Sequence, residues 1–122
     1  MQPAESGCAA IAAILDIFDG DRAAVDELLA TALHTLTESL MRIERATADM
    51  DRETLAQAAH RLKGAAATIG GTRVAAVSSS IERAARDEQP VAQSLLIECR
   101  DAVTALGSDI HGFLNAAPAG NG

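Results

Sequence analysis

Between Arg22 and Thr47, the residues Val25, Leu28, Leu29, Ala32, Leu36, Leu40 and Ile43 recur at steps of three and four. At about 100° per residue these positions form one stripe along a single long helix. A strand cannot produce that stripe, because its neighbouring side chains alternate between faces. A helix with so long an apolar side gains its stability by packing that side on other helices, which the rest of the chain must supply. Trp and Tyr are absent, aromatics make up 2% of the 122 residues and hydrophobic residues 48%. The core is therefore aliphatic and rich in alanine, which suits close helix-on-helix packing better than a sheet.

The remaining punctuation places four more helices. Ser6 can cap a short one over about 8–18, with Ile11, Ile14, Leu15 and Phe18 on one side, and Asp19-Gly20-Asp21 interrupts it. The long helix then covers about 22–47. Ala48-Asp49-Met50-Asp51 offers a turn and an N-cap for a third helix over about 52–69, which Gly70-Gly71 stops. Thr72 can cap a fourth over about 73–86, with Val74, Val77 and Ile81 inward. After a turn at 87–90, Pro90 is placed to start a fifth helix carrying Val91, Leu95, Val103, Leu106, Ile110 and Phe113 or Leu114. The expected fold is all-α: an antiparallel up-down four-helix bundle with a short additional N-terminal helix, one domain over 1–115 and a disordered tail over 116–122.

Charge narrows the function classes. The formal net charge of -7 opposes the basic footprint that nucleic-acid binding needs. Cys8 and Cys99 stand apart, with no CxxC pair and no histidine at ligand spacing, and read as reduced thiols of a cytoplasmic protein. The apolar run 8–15 is too short to insert in a membrane. The chain can still be the cytoplasmic end of a larger membrane-bound protein.

One stretch has the composition of a working site: Ala59-His60-Arg61-Leu62-Lys63-Gly64-Ala65-Ala66. On the third helix Leu55, Ala58, Ala59, Leu62, Ala66 and Ile69 share about a third of the circumference, so His60 faces outward. Beside it lie Ala56 and Gly64, each at about 40°, Ala67 at about 20° and Lys63 at about 60°. The imidazole thus stands on a patch cleared of large side chains. A mid-helix glycine costs ~1 kcal/mol relative to alanine, and alanine is what this chain uses nearly everywhere else. Lys63 is the only lysine among ten basic residues, a compact mobile ammonium where an arginine fork is otherwise the rule. A bare imidazole with an ammonium one turn away suits phosphoryl transfer to nitrogen. Neutral histidine attacks without a dedicated base, the ammonium balances charge on the phosphoryl oxygens, and small neighbours admit the donor.

His60-Arg61-Leu62-Lys63-Gly64-Ala65-Ala66, followed by Ile69-Gly70, resembles the histidine-containing phosphotransfer (HPt) domain of multistep two-component phosphorelays. The likeness extends to Phe18-Asp19-Gly20-Asp21 and to Ile81-Glu82-Arg83-Ala84-Ala85-Arg86, covering about 16–87. It implies a helical bundle in which His60 accepts a phosphoryl group from a receiver-domain aspartate and passes it to another, with Lys63 stabilising the phosphoryl group and Gly64 giving clearance. Glu82 sits where relatives carry a polar side chain, often Gln, that orients the imidazole through its other nitrogen. Arg86, one turn on, would face the same region and add complementarity to an acidic receiver. The resemblance implies response-regulator receiver domains as partners, free or within a hybrid sensor histidine kinase, and a monomer with no kinase activity and no cofactor. Mg²⁺ would belong to the receiver. Two alternatives stay open: a non-catalytic adaptor bundle, and the phosphoacceptor domain of a chemotaxis-type kinase, which differs in its phosphoryl donor.

Other candidates are weaker. His34 and His111 have no partners at ligand spacing, Ser78-Ser79-Ser80 lacks a nucleophile elbow, and 64–70 lacks the Lys-Ser/Thr of a phosphate loop.

Overall fold

A computed structural model describes residues 8–115, giving only the backbone path for 8–10 and 12. Five helices follow in order: α1 Cys8–Ile17, α2 Arg22–Ala48, α3 Arg52–Thr68, α4 Thr72–Arg86 and α5 Gln93–Asn115, with no strand among the described residues. The Ser6 cap, the side chain of Cys8 and the tail over 116–122 lie outside what is described.

The neighbours are α2 with α3, α3 with α4, α4 with α5 and α5 with α2, which leaves α2–α4 and α3–α5 on the diagonals of a four-helix bundle. Connections of three residues between α2 and α3 and between α3 and α4, and of six between α4 and α5, are too short to carry the chain back along helices of this length, so successive helices of the bundle run antiparallel. The pairing of α2 with α5 shows the same sense. Arg22 donates to the Phe113 carbonyl at 2.6 Å, Gly107 faces the Leu33 side chain, and Arg100 pairs with Glu44 at 2.6 Å. Residue numbers fall on one helix as they rise on the other. α1 packs on α5 and α2 and buries Ile11 and Ile14.

The stripe on α2 goes inward as its spacing requires, with Val25, Leu29, Ala32, Leu36, Leu40 and Ile43 buried and Leu28 half-buried. Ser39 joins them, its hydroxyl buried without a hydrogen-bond partner. Every residue expected on the inner face of α3 is buried. Cys99 is a free thiol within the core. Burial, aided by Glu44 and Glu98, pushes its pKa up to about 11.

Helix ends follow local chemistry. Asp21 and Asp51 cap α2 and α3 by accepting from the Ala24 and Thr54 amides, each at 3.1 Å. Three expectations are corrected. Thr72 does not cap α4 but is its first residue; the cap is Gly71, whose carbonyl accepts from the Ala75 amide. Pro90 lies in the α4–α5 connection, and α5 begins at Gln93, because the Ala92 carbonyl takes the first helical hydrogen bonds, from Leu95 and Leu96. Phe18 falls beyond the end of α1, where left-handed Asp19 and Gly20 reverse the chain, and it is exposed rather than inward.

Gly71 marks the tightest approach. A Cβ there would stand 2.6 Å from Leu106 Cδ2 and 3.4 Å from Ala66 Cβ, so the α3–α4 turn sits this close to α5 because residue 71 carries only hydrogen, and any side chain would require Leu106 or the turn to shift. That seating fixes the α3–α4 hairpin, on which the candidate site lies.

Candidate functional site

The hairpin brings four of the five residues singled out in the sequence into one network, and its centre is Glu82. Antiparallel packing sets α4 residue 82 beside α3 residue 60. Glu82 Oε2 lies 3.1 Å from His60 Nδ1 and Oε1 lies 3.4 Å from it. Arg86, one turn further on α4, donates to Glu82 Oε2 through Nε at 3.0 Å and Nη2 at 2.9 Å. Lys63, nearly one turn after His60 on α3, approaches Oε1 at 3.6 Å. The carboxylate is 12% exposed, whereas the imidazole is 66% exposed. The anion is thus set into the groove between two helices and the ring stands out from it.

Ionisation of Glu82 follows from this setting. Burial opposes the charge, but the hydrogen bonds from Arg86 and His60 and the charges of His60 and Lys63 outweigh it, and hold the carboxyl below its ordinary value. An ionised carboxylate only accepts hydrogen bonds. Nδ1 must therefore carry the imidazole proton, and in the neutral ring the lone pair lies on Nε2. Among the described residues Nε2 has no hydrogen-bond partner. The arrangement presents an oriented nitrogen nucleophile to solvent, with two cations beside it.

Gly64 is exposed, and a Cβ built on it would meet nothing within 4 Å. It has ordinary helical backbone, so neither internal packing nor conformation requires glycine here. Beside His60 the hairpin also leaves Ala67 exposed. Ala56, expected in the same cleared patch, is buried: α4 packs on that side of α3 and covers it. The opening around the ring is therefore one-sided, towards Gly64 and Ala67.

A wider feature escaped local motif reading. Residues 52–86 hold six basic side chains and only two acidic ones, a net +4, while the rest of the chain holds four against fifteen, a net −11. Arg52, Arg61, Arg73, Arg83 and Arg86 are exposed and Lys63 is partly so. An acidic protein thus presents His60 from its one cationic hairpin, and a charge count taken by window, rather than over the whole chain, reveals it.

The remaining titratable and nucleophilic groups are not drawn into the site. His34 is exposed, 4.0 Å from Glu38, and His111 is exposed. Ser78 is buried and donates to the Val74 carbonyl, while Ser80 donates to that of Ala76. Among the described residues no three His, Cys, Asp or Glu side chains group to hold a metal ion, and no helix is long and apolar enough to cross a membrane.

The family model of the Hpt domain matches residues 27–109, which spans both halves of the network. Comparisons with curated proteins and with solved structures return no match.

Proposed function

The chain belongs to the Hpt domain family, whose role is histidine phosphotransfer in two-component phosphorelays; from that premise we propose that His60 is its phosphoacceptor, taking a phosphoryl group from a receiver-domain aspartate and passing it to another receiver. The observation that carries this reading is the asymmetry of the His60 ring. Nδ1 is held by a carboxylate at 3.1 Å, while Nε2, on an exposed ring, has no hydrogen-bond partner among the described residues.

Each neighbour then has a task. Nε2 attacks phosphorus, and the bond from phosphorus to the aspartyl oxygen breaks with its electron pair left on the donor carboxylate. The Lys63 ammonium, loosely held at 3.6 Å from Glu82, is free to turn towards the phosphoryl oxygens as charge spreads over them. Glu82 fixes the ring and its tautomer, and Arg86 fixes Glu82. Gly64 and Ala67 leave room for the receiver's active-site rim. The +4 hairpin on a −7 chain attracts an acidic partner surface, steering encounter without a large interface. Mg²⁺ used in the transfer belongs to the receiver.

The test is transfer of radiolabel from phosphorylated receiver domains to the protein and to His60→Gln. Label on the wild type alone, lost in acid and stable in alkali, is expected. Label on His60→Gln, or an acid-stable product, would place the acceptor elsewhere.

A further inference from the structure

The identity of residue 82 as a carboxylate has a consequence for the phosphorylated state. In the resting ring Nδ1 carries the proton and Nε2 the lone pair. Forming the N–P bond at Nε2 turns the ring into an imidazolium that still bears Nδ1–H. If that proton were lost, the neutral phosphoimidazole would aim its Nδ1 lone pair at Glu82 oxygens 3.1 and 3.4 Å away, and an ionised carboxylate has no hydrogen to offer. A glutamine would accept either form, since its amide can donate or accept.

We propose that Glu82 keeps His60 protonated at Nδ1 after phosphorylation, so that the phosphoryl group rests on an imidazolium and transfers inward and outward without any proton changing place. The inference rests on His60 being the phosphoacceptor. Outward transfer then balances simply. An acceptor carboxylate oxygen attacks phosphorus, the N–P bond breaks, its electron pair returns to Nε2, and the ring is again the neutral Nδ1–H tautomer with which it began. The imidazolium is also the better leaving group, so the carboxylate favours onward transfer over storage.

The charged groups facing the ring are Lys63 on its own helix and Glu82 with Arg86 on α4; α2 and α5 place none in hydrogen-bonding contact with it among the described residues. The two cations oppose protonation through space, but both lie on Glu82 rather than on the ring. Arg86 holds Oε2 at 2.9 Å and Lys63 approaches Oε1. The direct contact at Nδ1 is with an acceptor alone, and a phosphoryl dianion on Nε2 draws Lys63 to itself. Glu82 is in this sense a positioning residue, acting through His60 rather than touching the phosphoryl group.

Phosphoramidate can phosphorylate wild type, Glu82→Gln and Glu82→Ala without a receiver, with His60→Gln identifying the signal that belongs to His60. Phosphorus and ring-nitrogen NMR then follow the phosphoimidazole from about pH 5 to about pH 9. We expect it to lose its Nδ1 proton about one pH unit or more higher in the wild type than in either variant, and to hydrolyse several-fold faster than Glu82→Gln at alkaline pH. Equal titration in all three proteins would overturn the inference while leaving His60 as acceptor. No phosphohistidine at His60 in any of them would overturn that reading and the inference with it.

Discussion

Glu82 and His60 meet across the α3–α4 groove at 3.1 Å, the carboxylate mostly covered and the ring mostly exposed. Everything distinctive about the site follows from that contact: the tautomer of the ring, the freedom of Nε2, and the gathering of Lys63 and Arg86 around one anion.

Acid should expose the Glu82 network in stability measurements. Its carboxyl titrates below the ordinary value of 4.5, because Arg86, His60 and Lys63 outweigh the opposing effect of burial. A depressed pKa contributes stability that is present above the unfolded-state value and is lost as pH falls through the folded-state value. Urea midpoints of the wild type should therefore fall between about pH 5 and about pH 3 by more than those of Glu82→Gln, which has no such proton to bind. Parallel declines in the two proteins would mean that the carboxylate is not stabilised in the folded state.

Lys63→Ala should leave the fold intact and slow the chemistry. The ammonium is partly exposed and its pairing with Glu82 is long, so the urea midpoint should shift by no more than about 0.5 kcal/mol in equivalent stability. Removing the charge nearest the developing phosphoryl oxygens should slow transfer from a receiver by about ten- to a hundredfold. A variant that transfers at the wild-type rate would take Lys63 out of the reaction.

Gly64 and Gly71 make an informative pair. Gly64→Ala places a methyl group in open space on an exposed helix, so it should raise stability by about 0.5–1 kcal/mol, measured by thermal or urea unfolding. Gly64→Leu should remain folded yet slow transfer by about tenfold or more, because the bulk falls where the partner must approach. Stability lost in Gly64→Ala would reveal an internal constraint on the glycine.

Gly71→Ala should do the opposite. Its Cβ would stand 2.6 Å from the buried Leu106 methyl group, so the Leu106 side chain, α5 or the turn must shift. A loss of about 1–3 kcal/mol is expected, read from the same unfolding curves. A neutral outcome would show that Leu106 can swing aside at no cost.

Much of this was legible in the residues, and the failures share a cause. Helix existence, the α2 stripe and the inner face of α3 followed from 3.6-residue periodicity, which depends only on the chain itself. Ala56 was misplaced because a helical wheel gives its angle from His60 but not the side on which α4 packs. The same missing information left Ser39 unforeseen in the core. Thr72 and Pro90 were read from end preferences, which rank residue types but do not say which backbone carbonyl takes the first helical hydrogen bond: that of Gly71 starts α4 one residue earlier, and that of Ala92 starts α5 at Gln93. The motif 60–66 named the ring and its ammonium, whereas the geometry adds that one carboxylate holds His60, Lys63 and Arg86 at once.

The most direct test of His60 as a relay residue is discharge. The protein is phosphorylated with radiolabelled phosphoramidate, freed of reagent, and mixed with an unphosphorylated receiver domain and Mg²⁺ in the absence of nucleotide. Label should leave the protein and appear as acid-stable, alkali-labile aspartyl phosphate on the receiver, and His60→Gln should have none to give. Label that stays on the protein, or departs only as inorganic phosphate at a rate indifferent to every receiver tried, would contradict a role in passing phosphoryl groups onward.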